Sequence, residues 1–571
     1  MENQRTFLII ALMAISAVLF QKWLEFTNPT QGVAPQQVAT INTGIGNAVP
    51  SSPTTSSSTL SQNKEAIPST PTSTIVIEPT LAQENLLQKQ GSIITVTTDI
   101  VVAKINTHGG VIESIELIKE PISVEQKNHG FPLLKNTPRE VFIAQDGLLE
   151  GNNSAPNHIQ TDYQAKLFNY ELGRADSIIV PLSWRADNGV EYTKTLTFKR
   201  DSYVVDIDYN VVNKSNISWD GYLYAQFSRT QPEDSGGGFG RLPSYTGGAI
   251  YTEEEKYEKI DFSDMSEENL AVTTNSGWVA MLQHYFVGAW IPKNGDAKQF
   301  YTSVNKDQLS PSYRIGYKTL EPKHIGSGQS GTISTSVYLG SKEQARLKKI
   351  QKDNNINGLA LTVDYGFLTF IADPLFIVLS WIHSLIGNWG WSIILLTVLI
   401  KAVFYPLSAA SYKSMAGMKK LQPRIQTLKE RYKEDKQKFQ TEMMALYKKE
   451  KINPAGGCLP ILVQIPVFIA LYWALLESVE IRQAPFALWL QDLSAPDPFY
   501  ILPVLMGLSM WAQQKLNPAP MDDIQKKVMM IMPIALTFLF LSFPQGLVLY
   551  WVVNNVLSMA QQWFINKRHA V

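Results

Sequence analysis

The hydrophobic pattern divides the chain into two unlike halves. In residues 91–345, short stretches rich in β-branched and aromatic residues alternate apolar and polar positions, and turn-forming clusters such as Gly236-Gly237-Gly238 separate them. The clearest strand candidates are Ile93–Thr97, Val111–Ile118, Tyr192–Phe198, Tyr203–Val212 and Thr332–Tyr338. Because no helical period interleaves with these strands, the pattern predicts one large antiparallel β-sandwich domain over residues 91–345.

The second half is dominated by apolar runs without charged residues. These runs cover residues 374–400, 456–476, 498–514 and 528–566. The last run exceeds the about 20 residues that one helix needs to cross a bilayer, and Phe543-Pro544-Gln545-Gly546 divides it in two. The pattern therefore predicts five membrane-spanning helices, which we assign to residues 374–408, 456–478, 498–515, 528–543 and 545–566.

The segments outside these regions have separate predicted roles. The uncharged apolar run 6–21 is either a signal peptide or an uncleaved anchor, and the lack of a clear small-residue cleavage site favours an anchor over residues 1–26, the sixth span. Residues 27–90 are rich in Thr, Ser, Pro, Gln and Asn, which predicts a flexible tether. Residues 346–373 read as a linker, and the aromatic residues within 361–370 indicate either an interfacial amphipathic helix or a simple lead-in to the next span.

Charge is balanced overall but segregated along the chain. The chain of 571 residues carries 50 Lys and Arg and 50 Asp and Glu. Residues 407–455 alone hold twelve Lys or Arg against five Asp or Glu, whereas residues 477–497 hold one Arg against four acidic residues. The positive-inside rule then places residues 409–455, 516–527 and 567–571 in the cytoplasm. The loop 479–497 and the β domain face the opposite side.

The basic segment 409–455 has the pattern of a helical hairpin. Leu421, Ile425, Leu428 and Tyr432 recur at helical spacing, and a second apolar set follows the plausible turn Glu434-Asp435-Lys436. Its positive charges could contact anionic lipid, ribosomal RNA or an acidic protein. The alternative is a solvated hairpin whose charge only sets the topology.

A single lysine, Lys401, lies inside the first of the core spans, since the apolar character continues beyond it. An ionisable group in the bilayer costs about 2.5 kcal/mol or more and marks a functional site unless something simpler explains it. Thr397 lies one turn earlier on the same helical face. The simpler explanation is that Lys401 snorkels to the nearby cytoplasmic surface.

Polar side chains also recur within the other spans. Trp551, Asn555, Ser558 and Gln562 form one stripe of the last span, with Asn554 and Gln561 beside it, and Gln464 lies in the span 456–478. Taken singly, each residue is explained by a hydrogen bond between helices. Together with Lys401 they indicate a partly hydrated, positively charged cavity.

Signatures of enzymes are missing from the sequence. The chain has no GxxxxGK[ST] loop, no HExxH and no GxSxG, and its only cysteine, Cys458, allows no intrachain disulfide. We therefore expect no catalytic activity and no cofactor.

Several motifs, in order along the chain, carry a resemblance to a known family. These are Asn388-Trp389-Gly390, Tyr405-Pro406-Leu407, Asn453-Pro454-x-Gly456-Gly457-Cys458-x-Pro460, Arg482-Gln483-Ala484-Pro485-Phe486, Asp492-Leu493-Ser494 and Phe543-Pro544-x-Gly546-Leu547-x-Leu549-Tyr550-Trp551. The chain resembles the YidC membrane-protein insertases of Gram-negative bacteria over essentially its whole length. The resemblance implies a polytopic α-helical protein of the inner membrane, with a five-span core, a periplasmic β-sandwich and a cytoplasmic C-terminus.

The resemblance also implies a function and partners. Members of this family insert and help to fold newly made membrane proteins, alone or with the Sec translocon, without hydrolysing nucleotides. Their spans enclose a hydrophilic groove in which a cation attracts the polar part of an incoming chain, while the apolar segment leaves along the third and fifth spans. The implied partners are nascent membrane proteins, the Sec translocon, the phospholipid bilayer and, through the basic hairpin, the ribosome and the signal recognition machinery.

Site residues carry over from the resemblance by position. The groove cation corresponds to Lys401, and the positions that contact the incoming chain correspond to Thr397, Ile465, Pro466, Phe468 and the pair Tyr550-Trp551. Gln464, Asn555 and Ser558 join the predicted groove as polar residues of the spans. The chain departs from the family at two places, since Lys401 replaces the usual arginine and Trp551 replaces the second tyrosine of a pair. A lysine keeps the charge but lacks the bidentate fork of arginine, so plain electrostatic attraction is favoured.

The sequence is also compatible with two functions of other classes. A small-solute transporter could use Lys401 as a ligand, although such folds favour matched broken helices in inverted repeats, and no repeat is visible. The spans could also merely anchor a periplasmic binding module. In that case deleting residues 91–340 would abolish the function.

Overall fold

The computed structural model describes residues 91–151, 154–232, 244–305, 311–433, 435–450, 452, 459–516 and 523–569. The predicted anchor, the predicted tether, the Gly236–Gly238 loop and the Asn453–Cys458 motif lie outside these ranges, as does half of the predicted loop 516–527.

The described part of the N-terminal half forms two packed sheets. Its strands are β1 (Ile93–Thr97), β2 (Val101–Asn106), β3 (Val111–Pro121), β4 (Gly130–Asn136), β5 (Val141–Leu149), β6 (Gln164–Ala165), β7 (Asn169–Glu171), β8 (Ser177–Arg185), β9 (Val190–Lys199), β10 (Val204–Asn213), β11 (Trp219–Thr230), β12 (Gly247–Thr252), β13 (Lys256–Ile260), β14 (Ala271–Thr274), β15 (Trp278–Leu282), β16 (Phe286–Pro292), β17 (Lys298–Asn305), β18 (Ser312–Thr319), β19 (Lys323–Ile325) and β20 (Ser330–Ser341).

The topology confirms the predicted β-sandwich. One sheet has the order β14-β17-β18-β11-β5-β4-β3-β2-β1-β7, with β19 added beside β11, and the other has the order β13-β12-β15-β16-β20-β10-β9-β8-β6. Strand pairs are antiparallel except for β1 with β7. The two sheets bury one shared core, in which Phe227 of β11 packs on Trp290 of β16 at 5.7 Å between ring centroids.

Alternation within the central strands explains this packing. In β10, Val205, Ile207, Tyr209 and Val211 are buried while the residues between them are less covered. Successive side chains of a strand point to opposite faces, so this period of two buries one face against the partner sheet. Tyr209 pairs with Lys194 of β9, so the lysine side chain points into the same interior.

That interior holds a fully buried ion pair. Lys194 Nζ donates to Asp146 Oδ1 at 2.8 Å and to the Gly110 carbonyl at 2.8 Å, and neither charged side chain is exposed. Tyr209 donates to the other carboxylate oxygen of Asp146 at 2.7 Å. Because Asp146 lies on β5 and the other two side chains lie on β9 and β10, the cluster ties the two sheets together.

The C-terminal half is helical. The α-helices of the described residues are α1 (Phe262–Glu267), within the β domain, followed by α2 (Gln344–Asp353), α3 (Thr369–Ile386), α4 (Trp389–Val403), α5 (Tyr405–Arg431), α6 (Lys436–Lys449), α7 (Leu459–Glu477), α8 (Ile501–Leu516), α9 (Asp523–Phe540) and α10 (Gln545–His569). Helix α10 lies at the centre of the bundle, since it packs against α4, α5, α7 and α8.

The segment predicted as one span over residues 374–408 is divided. It contains most of α3, all of α4 and the start of α5. Helix α3 ends where Gly387 adopts a left-handed conformation with φ of 72°, and Asn388 caps α4 by accepting a hydrogen bond from the Trp391 N–H at 3.1 Å. The boundary of that predicted span is therefore wrong, because a helix stop and a helix start interrupt the uncharged run.

The region predicted as an interfacial helix near residues 361–370 is also different. Two short 3₁₀ turns, Leu359–Thr362 and Gly366–Leu368, occupy it, and α3 begins only at Thr369. Leu361, Phe367 and Phe370 are exposed in this region, and the exposed apolar surface continues on α3 with Ile377, Trp381 and Leu385.

Few described helices satisfy a strict length criterion for crossing a membrane. The helical segment Gly366–Ile386 is long and apolar enough to cross a membrane. Helices α4 and α5 pass the same test only if the two together form one span, and they are bent by 68° relative to each other. Shorter apolar helices cover Leu462–Glu477 and Lys527–Phe540. The count of six spans therefore stays a prediction.

Helices α5 and α6 form the predicted hairpin. Leu421 and Ile425 of α5 are buried against Met443 and Tyr447 of α6, in a small core separate from the main one. Asp435 caps α6 by accepting from the Lys438 N–H at 2.9 Å. The helical spacing of Leu421 and Ile425 is confirmed, whereas Tyr432 lies just past the end of α5 at Arg431, and α6 begins at Lys436.

The β domain is docked on the segment between α7 and α8. Arg482 donates to the carbonyls of Pro121 at 2.6 Å and Ile122 at 3.1 Å, at the end of β3. Its guanidinium also lies over the stacked rings of Phe131 and Phe286. This segment therefore fixes the orientation of the sandwich relative to the helices.

Candidate functional site

Lys401 lies in the last turn of α4 and points into the bundle. Its Nζ donates a hydrogen bond to Ser558 Oγ of α10 at 2.7 Å, and Ser558 in turn donates to the carbonyl of Asn554 at 2.6 Å. The hydroxyl of Tyr412, on α5, also hydrogen-bonds Ser558. Three helices thus meet at one ammonium group, and the serine hydroxyl takes part in every one of these contacts.

A small pocket opens beside the ammonium. It measures about 10 Å³ and is lined by Ile400, Lys401, Phe404, Leu407, Ser408 and Gln464. This is close to the smallest volume that holds one water molecule. Within the described part of the chain, no charged partner acts on Lys401. The site therefore places an amine without a charged partner in a narrow space that apolar and polar side chains line together.

Gln464 links α7 to α10 on the other wall of this pocket. Its Nε2 donates to Asn554 Oδ1 at 2.5 Å and lies 3.4 Å from the Tyr550 hydroxyl. Asn554 accepts both this side-chain bond and, through its carbonyl, the bond from Ser558. A continuous set of neutral polar groups therefore runs from Lys401 along α10 to Tyr550.

Aromatic side chains pack around the Tyr550 end of this row of polar groups. Phe468 of α7 stacks on Tyr550 with ring centroids 6.0 Å apart and meets Trp551 edge-on at 4.6 Å. Phe540 of α9 packs on the other side of Trp551 at 5.2 Å. The indole N–H of Trp551 is buried without a hydrogen-bond partner among the described residues, so a polar donor is available at this boundary.

The structure brings together six of the ten residues predicted for the site. Lys401, Ser558 and Gln464 line or border the pocket, and Phe468, Tyr550 and Trp551 form the aromatic end. The remaining four lie elsewhere on the same helices and are described next.

Those four residues have local partners or face outward. Thr397 is fully buried and donates to the Ile393 carbonyl of its own helix at 2.6 Å. Asn555 donates to Ser509 of α8 at 2.9 Å, whereas its neighbour Asn554 is the residue that meets Gln464. Ile465 is 39% exposed on the outer surface of the bundle, and Pro466 is half-buried within α7.

Two polar contacts were not predicted, those of Tyr412 and Ser509. Tyr412 lies four residues after Ser408, which lines the Lys401 pocket, and this spacing places both residues on one face of α5. Ser509 has no comparable signal, because its pairing with Asn555 depends on how α8 packs against α10.

The end of α7 is held by groups of the β domain. His284 Nε2 donates to the Leu476 carbonyl at 3.1 Å, and burial lowers the pKa of His284 to about 3, which keeps the ring neutral. Burial likewise raises the pKa of Glu480 to about 7, and this carboxyl accepts from the Gln344 N–H at 3.0 Å, in the first turn of α2. One oxygen of Glu480 is thus bonded across this junction, whereas its Oε2 is buried without a hydrogen-bond partner among the described residues.

Comparison with known proteins covers the whole chain. Residues 93–378 match the family described as the YidC periplasmic domain, and residues 381–570 match the family described as 60Kd inner membrane protein. The membrane protein insertase YidC of Nitrosococcus oceani is 44% identical over 573 residues, covering 100% of this chain and 99% of the relative. The YidC insertase of Methylobacillus flagellatus is 45% identical over 570 residues, covering 99% of this chain and 97% of the relative.

A solved structure is also similar. The crystal structure of an active YidC insertase with its first transmembrane domain resolved is 18% identical, covers 83% of this chain and 94% of its own, and superposes with a TM-score of 0.38. The full-length identity to the insertases of two organisms decides the assignment. The chain belongs to the YidC family of membrane protein insertases.

Proposed function

We propose that this chain inserts newly made proteins into the bacterial inner membrane and helps them to fold, alone or together with the Sec translocon. The observation that carries the proposal is the ammonium of Lys401, which is held between α4, α5 and α10 beside a pocket that Ser408 and Gln464 also line. The names of the full-length relatives support the same class of function.

The proposed membrane arrangement uses α4, α7, α8, α9 and α10 as five spans, with the N-terminal run as a sixth. Helix α3 lies along the outer surface, because both of its ends meet the segment that follows α7. Before α3, Tyr365 hydrogen-bonds Ser478 at 2.9 Å, and after it Asn388 donates to the Phe486 carbonyl at 3.2 Å. Turns at Ile481 and Ala484 keep that segment compact.

This arrangement places Lys401 well inside the bilayer. Twelve residues separate it from Trp389 at the outer end of α4, which is about 18 Å at helical rise, in a hydrocarbon layer of about 30 Å. Its side chain extends sideways to Ser558 rather than along α4. The arrangement favours a groove cation over a lysine that snorkels to the surface.

The polar groups of the site suit a transient interaction with an acidic segment. The partners described for Lys401 and Gln464 are neutral, so a carboxylate that enters the site would add the attraction between opposite charges, which the serine hydroxyl does not supply. The membrane potential adds about 2.3 kcal/mol per charge for each 100 mV. Because the pocket holds about one water molecule, the helices that border it must separate before a peptide enters.

The apolar segment of the incoming chain needs a separate path. Ile465 of α7 is exposed, and Ile531, Ile534 and Phe538 form an exposed apolar face of α9. We assign these faces as the surface along which that segment moves into the lipid. The basic hairpin α5–α6 is then placed in the cytoplasm, where its charge suits the ribosome and the signal recognition machinery.

Reconstitution tests the proposed function. The purified chain, placed in liposomes with an imposed membrane potential and no nucleotide, should protect a short two-span protein from protease. We expect at least about tenfold more protection than in empty liposomes, since 1.4 kcal/mol of stabilised transfer already gives a factor of ten. Solute flux without any protected protein would contradict the proposal and indicate a transporter.

A further inference from the structure

A second cleft lies far from Lys401, where the β domain meets the segment between α7 and α8. It measures about 280 Å³ and lies between the end of β3 with its following turn and residues 482–491. Its polar lining consists of Lys119, Glu120, Lys127, Arg482, Gln483 and Gln491. Three cations therefore face one carboxylate, and the two amide side chains add hydrogen-bond donors.

Arg482 is the fixed cation of this cleft. The carbonyls of Pro121 and Ile122 and the aromatic pair beneath it hold its guanidinium in place, and Glu120 lies 3.7 Å from it. A side chain already held in position loses little entropy when a ligand binds. Burial raises the pKa of Glu120, the one carboxylate of the lining, although Arg482 opposes this shift.

The two lysines of the cleft remain accessible. Lys119 is 55% exposed and makes a long contact of 3.4 Å with the exposed Asp201, an arrangement that contributes little. Lys127 lies exposed in the turn that follows β3. Both ammonium groups can therefore turn toward a ligand in the cleft at small cost.

The backbone on the opposite wall is held in a strained shape. Gln483 has a φ of 54° and Leu488 a φ of 56°, and a left-handed conformation costs a residue with a side chain about 1–2 kcal/mol. Asp492 stabilises this shape by accepting from the Gln483 N–H at 2.9 Å. Strain of this kind persists where the surroundings enforce it and often marks a binding site.

The mouth of the cleft lies at the proposed outer surface of the membrane. Pro485 lines the cleft, and the next residue, Phe486, meets Trp391 edge-on at 5.6 Å in the first turn of α4. Leu488, at the tip of the same segment, is 82% exposed. An apolar tip and an interfacial tryptophan beside a cationic cleft are the features expected where lipid headgroups lie.

We propose that this cleft binds a phosphate ester with net negative charge, supplied by the headgroup of an anionic phospholipid such as phosphatidylglycerol. Arg482 and the two lysines would face the phosphate, Gln483 and Gln491 would donate to its ester and glycerol oxygens, and the acyl chains would leave past Leu488. The cleft lies just below the usual range for small-molecule pockets, about 300–1,000 Å³, which suits a headgroup. The phosphate site is independent of the proposed insertase function, and only the lipid source rests on α4 crossing the membrane.

Titration of the full chain in neutral detergent tests the site. Short-chain phosphatidylglycerol, short-chain phosphatidylcholine and glycerol 3-phosphate are added to the wild type and to the double variant Lys119→Ala, Lys127→Ala. We expect the wild type to prefer phosphatidylglycerol over phosphatidylcholine by about tenfold, and the double variant to lose most of this preference, since each lysine contributes up to about 1 kcal/mol. The matched control, Lys104→Ala with Lys166→Ala, removes two exposed lysines outside the cleft and should bind like the wild type.

Hydrogen exchange locates the bound lipid and distinguishes its source. Phosphatidylglycerol should protect amides in residues 119–127 and 482–491. Competition by glycerol 3-phosphate would support a site open to soluble phosphate esters, and protection by the lipid alone would support a site filled from the bilayer. Equal binding of the two lipids to the wild type, or unchanged binding by the double variant, would overturn the proposal.

Discussion

Replacing Lys401 by alanine should reduce the insertion of short two-span proteins by about ten- to a hundredfold, whereas replacing it by arginine should preserve insertion. Two unit charges 4 Å apart interact by about 4 kcal/mol at an effective dielectric constant of 20, and the desolvation of both charges cancels part of this. A net attraction of about 1.4 to 2.8 kcal/mol gives the expected ten- to hundredfold loss of insertion, since each 1.4 kcal/mol is a factor of ten. Arginine keeps the charge, and its longer fork can still reach Ser558.

Protease protection of a labelled substrate in proteoliposomes measures this effect. The matched control is Lys419→Ala, which removes one positive charge from the exposed surface of the hairpin and should change insertion less than twofold. Full insertion by Lys401→Ala would exclude the electrostatic role of the lysine. The assignment to the family would stand, because it rests on full-length identity.

The second large effect concerns the β-sandwich. Lys194→Met should destabilise this domain by about 3–5 kcal/mol, because it leaves the Asp146 carboxylate buried without its cation. Both side chains of the pair are fully buried, and the remaining partner described for Asp146 is the Tyr209 hydroxyl. A loss of this size is a large part of the about 5–15 kcal/mol that stabilises a typical domain.

Hydrogen exchange in the full chain reports on this domain alone. Amides of β9 and β10 should lose protection in Lys194→Met and recover most of it in the double variant Lys194→Met, Asp146→Leu, since an apolar pair can replace a buried ion pair. Lys199→Met is the matched control on β9, because its pair with Asp206 is 56% and 29% exposed and should contribute less than about 1 kcal/mol. Equal protection in Lys194→Met and the wild type would show that the pair does not hold the sheets together.

Local patterns predicted much of the fold. The strand Ile93–Thr97 and the apolar spacing of Leu421 and Ile425 appear in the structure as the sequence indicates, because period and turn residues act over a few positions. Two local residues also mark the break at Gly387-Asn388. The glycine ends α3 in a left-handed conformation, and the asparagine caps the start of α4. The hydropathy pattern did not reveal this break, because α3 and α4 are both apolar.

The contacts of the site could be predicted only in part. Helical spacing placed Thr397 on the face of Lys401, but the threonine satisfies its hydroxyl within its own helix. The bond from Lys401 to Ser558 joins residues 157 positions apart and depends on the packing of α4 against α10. The division of the last span into a Gln464-facing side and a Ser509-facing side likewise depends on which neighbour each face meets.

The proposed path of the incoming chain makes adjacent residues of α7 face different parts of it. Gln464 borders the Lys401 pocket, whereas Ile465 is exposed on the outer surface of the bundle. A photo-reactive residue at each position, with a nascent two-span protein stalled at defined lengths, reads out both contacts. Leu508 of α8, 57% exposed and outside the proposed path, is the control position.

Crosslinking from Gln464 is the most direct measurement of a substrate-filled groove beside Lys401. We expect position 464 to crosslink to the polar tail or loop of the stalled protein, position 465 to its apolar segment, and position 508 to neither. Two results would contradict a groove beside Lys401 through which the polar segment passes. One is that position 464 gives no crosslink to the polar segment at any length of the stalled protein. The other is that position 508 crosslinks to the polar segment as strongly as position 464 does.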